Sequence, residues 1–222
     1  MTQSHPAFPP ADLAVSAEEL AARLASKLCH DFISPAGAIV SGLDLLDDPT
    51  AKDMRDEAME LIAASARKLV DQLAFARVAF GASAGAAGFD CAELERLTRG
   101  VYAHVRADLE WQVATPQLPK PAAQTMVNLA QLAAGALPLG GVARLQATLG
   151  PDGHLVCAVA TGPKARLHAE VADGLAGQPL GDGLGGRWVQ AYYVHAVAAA
   201  AGGWVTADAA DETVTFRAGL PA

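Results

Sequence analysis

His30 is the residue whose type and setting best suit covalent chemistry. A neutral imidazole is a competent nucleophile near its ordinary pKa of about 6.5, so it can take a group at cellular pH. Asp31 follows it directly, and Pro35 stands five residues after His30. Asp31 is placed to hold one imidazole nitrogen and fix the tautomer, leaving the other nitrogen to attack. The helical neighbours of His30 are Arg23, Ser26, Lys27, Ser34, Gly37 and Ser41, all small or polar. They leave room for a partner surface to press against the ring, and Ser34, Gly37 and Ser41 read as its docking face. Lys27, one turn before His30, is placed to offset negative charge on a transferred group. Taken alone, a histidine on a polar helix face is better explained as an ordinary surface residue. Pro35 alone says only that the helix should bend just below His30. The two together are the specific signal.

These residues need a long helix to carry them. Ser16 followed by Glu19 reads as a capping-box start. An apolar stripe then runs through Leu20, Leu24, Leu28, Phe32, Ala36, Ile39, Leu43 and Leu46, with His30 on the face away from it. Asp47-Asp48-Pro49 ends it, with Asp48 expected to cap a second helix and Pro49 to fill its first turn. A second stripe passes through Met54, Ala58, Leu61, Ile62, Ser65, Leu69, Leu73, Ala76 and Phe80. Two helices of about thirty residues, roughly 45 Å each, are therefore expected to fold back antiparallel. A lone hairpin leaves part of each stripe wet. Two copies pairing as a four-helix bundle, a homodimer, would bury it.

The pattern changes at Phe89. Helices are expected over 90–105, 122–137 and 187–201. Strands are expected at 109–113, at 142–149 and 154–160 about Gly150-Pro151-Asp152-Gly153, and at 205–207 and 213–216. A Gly-rich loop is expected from Gly174 to Gly186. The fold class is α+β, a helical hairpin followed by a helix-and-antiparallel-strand sandwich. The expected divisions are a loose tail over 1–15, the hairpin over 16–85 and the mixed part over 86–222.

Composition excludes several classes. The chain has 222 residues, 52% of them apolar, which is enough for a real core. A net charge of −8 argues against nucleic-acid binding, which depends on Lys and Arg neutralising phosphates. Cys29, Cys91 and Cys157 form no C-x-x-C pair, so no zinc or redox site is expected. His5, His104, His154, His168 and His195 show no ligand spacing. Neither a signal peptide nor a membrane span is apparent, so the expectation is a cytoplasmic protein without metal or membrane contact.

His30-Asp31-x-x-x-Pro35 matches the phosphoacceptor pattern of histidine kinases. The wider run from Arg23 to Asp48 resembles the ChpT family of alphaproteobacterial histidine phosphotransferases. Similar too are Asp53 to Met59, Ser65 to Leu69, Arg77 to Ala84, Val101 to Arg106 and Gly185 to Tyr192. The resemblance implies a dimeric His-bearing four-helix bundle followed by a degenerate histidine-kinase-type ATPase sandwich. A kinase asparagine box reads N-L-x-x-N-A, its second Asn holding magnesium; here Asn128-Leu129-Ala130-Gln131-Leu132-Ala133 puts Leu132 there. Leu offers no oxygen to a hard cation. A kinase glycine box reads D-x-G-x-G; here Ala160-Thr161-Gly162-Pro163-Lys164 lacks the Asp and the last Gly. Gly183-Leu184-Gly185-Gly186 keeps the outline of a nucleotide lid. The resemblance thus implies a phosphorelay intermediate with no cofactor of its own. Its Mg²⁺ would come from the receiver domain of its partner. The implied donor is a CckA-type hybrid kinase and the implied acceptors are CtrA-type and CpdR-type response regulators. The alternatives are a receiver-binding adaptor that transfers nothing and a weakly active histidine kinase.

Overall fold

A computed structural model of the chain describes residues 15–81, 87–180 and 185–222. The expected tail, apart from Val15, lies outside the described residues, as does the Gly183-Leu184 half of the lid outline. Helix α1 spans Ala17–Asp47 and continues through Pro35. Its start is as expected, with the Ser16 hydroxyl accepting from the Glu19 N–H at 3.2 Å. Helix α2 spans Arg55–Ala79 and begins later than the sequence suggests. The Asp48 carboxylate instead accepts the N–H and hydroxyl of Thr50, both at 2.7 Å. That local turn competes with helix capping. A 3-10 turn over Lys52–Met54 then leads into α2.

The most buried positions between the two helices are small residues, two of them, Ala58 and Ser65, on the expected α2 stripe. Pro35 and Gly42 of α1 and Ala58 and Ser65 of α2 are buried there. A Cβ built on Gly42 would lie 2.6 Å from Ile62 Cγ1 and 3.2 Å from the Ala58 carbonyl oxygen, so a side chain here would have to displace Ile62. The leucines divide among other tasks. Leu20 and Leu24 leave the hairpin and pack with Trp188, Val189 and Tyr192. Ile33, Val40 and Leu43 of α1 stay exposed, as do Met59, Val70 and Leu73 of α2. By helical phase these six share one side of the hairpin. The rest of the chain packs on the other side.

That remainder is a two-layer sandwich. Its sheet has the order β2 (Ala107–Val113), β4 (Gly141–Gly150), β5 (Gly153–Thr161), β7 (Thr213–Leu220), β6 (Trp204–Ala210). The expected β4–β5 hairpin is present. The sheet is mixed rather than antiparallel throughout, because β2 pairs parallel to β4. A second ladder joins β1 (Gly88–Asp90) to β3 (Gln117–Pro119), three residues each and too short to show a period. Helix α3 (Cys91–Tyr102) is capped by Asp90, whose carboxylate accepts from the Ala92 and Glu93 N–H groups. Helix α4 (Lys120–Gly135) is the central one, buried without a break from Ala122 to Ala130. It packs on Leu145, Val156 and Phe216 of the sheet's inner face. Helix α5 (Ala169–Leu175) occupies ground adjoining the expected Gly-rich loop, and α6 (Gly186–Ala200) follows.

Gly42→Val is expected to force α1 and α2 apart, at about 2 kcal/mol for overpacking a close contact. A thermal melt followed by circular dichroism should show a lower midpoint. An unchanged midpoint would show that the helices do not need this approach.

Candidate functional site

The middle of α1 holds the site. The His30 side chain is 87% exposed, and its Nδ1 lies 3.5 Å from Asp31 Oδ1. The other Asp31 oxygen accepts from Lys27 Nζ at 2.5 Å, an i, i+4 ion pair. Lys27 is thus committed to Asp31, its side chain only 12% exposed. Asp31 in turn has one oxygen left for the imidazole. With Nδ1 turned to Asp31, Nε2 is the nitrogen free to attack. Ser34, Gly37 and Ser41 are exposed along the same side of α1. A Cβ at Gly37 would meet nothing within 4 Å, so this face is open.

A cleft of about 700 Å³ runs from this helix face to the sandwich. The hairpin contributes Arg23, Ser26, Lys27, His30 and Asp31. The opposite wall includes Arg166, His168, Glu170 and Arg187, over a floor with Leu132, Val189 and Phe216. Burial, and then the charges of Arg187 and Arg166, hold the His168 imidazole below its usual pKa. The opposite wall escaped the sequence reading because more than a hundred residues separate it from His30. Its one local signal was that Arg187 opens the helix after Gly185-Gly186.

Residues 91–213 match the family described as the histidine phosphotransferase C-terminal domain. The chain is 34% identical over 208 residues to the protein phosphotransferase ChpT of Brucella abortus (strain 2308), covering 92% of this chain and 97% of that one. The chain belongs to the ChpT family of histidine phosphotransferases. A solved bacterial phosphotransferase at 1.7 Å superposes with a TM-score of 0.82 and 29% identity, covering 92% of this chain and 98% of the other. Membership makes the chain a phosphotransferase.

The kinase-like positions of this family member serve its own packing. Asn128 is fully buried, and its Nδ2 donates to the carbonyls of Ala79 and Gln124, both at 2.9 Å. Its Oδ1 accepts from Gln190 Nε2 at 3.1 Å. Gln190 also donates to Gln131 Oε1 at 2.6 Å. The amide is therefore used within the protein, linking α4 to the end of α2 and to α6. Leu132 is buried in the cleft floor, and Ala160 is a fully buried methyl on β5. Gly162 packs backbone to backbone, since a Cβ there would lie 2.5 Å from the Gly140 carbonyl oxygen. Among the described residues, no three His, Cys, Asp or Glu side chains are grouped to hold a metal. No described helix is long and apolar enough to cross a membrane.

Asn128→Ala should cost about 2 kcal/mol, because the Ala79 carbonyl and the Gln190 amide lose a buried partner. Urea unfolding measures it. A midpoint equal to that of the parent would mean that the amide makes no net link.

Proposed function

We propose that His30 is the phosphorylated residue of a phosphorelay intermediate. The supporting observation is an exposed imidazole whose Nδ1 faces Asp31 on an open helix face. The Nε2 lone pair attacks the phosphorus of a receiver's aspartyl phosphate. The N–P bond forms as the P–O bond to the aspartyl carboxylate breaks, and the carboxylate leaves with that electron pair. Asp31 accepts a hydrogen bond from Nδ1–H and steadies the positive charge that develops on the ring. In the reverse direction His30 gives the group to a second receiver. The receiver supplies Mg²⁺ and the acidic pocket that phosphoryl transfer needs. Ser34, Gly37 and Ser41 form its docking face. Lys27 acts chiefly by orienting Asp31.

The donor in this reading is the receiver of a CckA-type hybrid kinase, and the acceptors are CtrA-type and CpdR-type regulators. Nucleotide plays no part. Leu132 and Ala160 in place of the kinase Asn and Asp support that, as does the internal use of Asn128. Residues 16–85 serve as the phosphotransfer unit and 86–222 as the degenerate ATP-binding unit of a cytoplasmic protein. The exposed Ile33, Val40, Met59 and Val70 face supports a homodimer, in which two such faces make a four-helix bundle.

Purified protein mixed with a radiolabelled phospho-receiver, without ATP, should gain acid-labile, alkali-stable label. His30→Ala should gain none and keep its fold. Label on His30→Ala equal to the wild type would reject the assignment. Co-elution without any transfer would leave an adaptor. The double variant Val40→Asp, Val70→Asp should halve the sedimentation mass by placing charge in the apolar face. An unchanged mass would place the dimer contact elsewhere.

A further inference from the structure

The cleft beside His30 is more basic than the rest of the molecule. The chain has 16 Lys and Arg against 24 Asp and Glu. Yet Arg23, Lys27, Arg166 and Arg187 all line this one cleft, against Asp31 and Glu170. The four cations are not equally available. On the hairpin, Glu19 holds Arg23 at 2.7 Å and Asp31 holds Lys27 at 2.5 Å. Across the cleft, Arg187 reaches Glu170 only at 3.9 Å and is 58% exposed. Arg166 is exposed, and its side chain makes no hydrogen bond or ion pair among the described residues. Burial first, and then the charges of Arg187 and Arg166, lower the pKa of His168 on the same wall.

A phosphoryl group brings a charge of about −1.5 to −2. On His30 it would stand beside the Asp31 carboxylate, and the hairpin's two cations in the cleft, Arg23 and Lys27, are already paired. We infer that the sandwich supplies the missing charge: Arg166 and Arg187 reach across the cleft and bind the phosphoryl group carried by His30 Nε2. The inference rests on the proposed function and adds the residues that hold the transferred group. Guanidinium suits the task, being always charged and able to form paired bonds to phosphoryl oxygens. It also gives the ATPase-type sandwich a use without nucleotide.

Groups that bind only the phosphorylated form shift the equilibrium of a reversible transfer toward that form. Groups that only help a receiver dock change how fast equilibrium is reached and leave its position alone. The test is therefore the final partition of label between dilute protein and a labelled phospho-receiver, sampled without nucleotide until constant. Arg166→Gln with Arg187→Gln should move the partition about tenfold toward the receiver, through lost charge-assisted bonds. Lysine at both positions should reverse most of that shift by restoring the charge. Both arginines are exposed, and a circular dichroism melt confirms that the variants fold. A slower approach to an unchanged partition would overturn the inference and leave the proposed function standing. No label on the wild type would instead end the proposed function, and this inference with it.

Discussion

Phe75, Val78 and Ala79 complete the hairpin and at the same time lie in the sandwich core, in one cluster with α4. The carbonyls at the end of α2, which a helix leaves without internal partners, are taken by sandwich side chains. Asn128 donates to Ala79 at 2.9 Å and Gln124 to Val78 at 3.4 Å. A second attachment lies at the same open end of the hairpin, at the start of α1, where Leu20 and Leu24 pack against Trp188, Val189 and Tyr192. The Val15 N–H also donates to the Tyr192 hydroxyl at 3.1 Å. The His104 imidazole adds a third tie, to Asp71 of α2 at 2.9 Å. These attachments hold one sandwich wall opposite His30, so the cleft is a consequence of how the two parts are joined.

The join also explains what became of the kinase-like positions. A buried amide must find partners for its donors and its acceptor, and Asn128 finds all of them within the protein. At Leu132 and Ala160 the buried groups are apolar and belong to the packing. The framework around these positions is thus consolidated from inside, and the cleft beside it faces His30.

Much of this was legible in the chain. The Ser16 cap, the His30 face and the β4–β5 hairpin each depend on residues close in sequence, so local spacing reveals them. The helix contact was legible only in part: Ala58, Ile62 and Ser65 lie on the α2 stripe, whereas Gly42 matters through the absence of a side chain. Hydrophobic periodicity weights Leu43 and Leu73 instead, which stay exposed. The start of α2 was misplaced because an aspartate before proline can cap a helix or close a turn on Thr50, and local sequence does not decide between them. Ladder β1–β3 joins segments about thirty residues apart in three-residue pieces. The Asp31–Lys27 pair follows the i, i+4 rule and could have been anticipated. The arginines opposite His30 could not, because only the tertiary fold brings them there.

The most direct test of this mechanism is to locate the phosphoryl group itself. The wild-type protein, phosphorylated by a phospho-receiver without nucleotide and kept alkaline, would be mapped by electron-transfer mass spectrometry and by ¹⁵N NMR of its imidazoles. One phosphoryl group per chain is expected, on His30, bonded through Nε2. A phosphoryl group on another residue, on Nδ1 of His30, or one that forms only when ATP is added would contradict the mechanism.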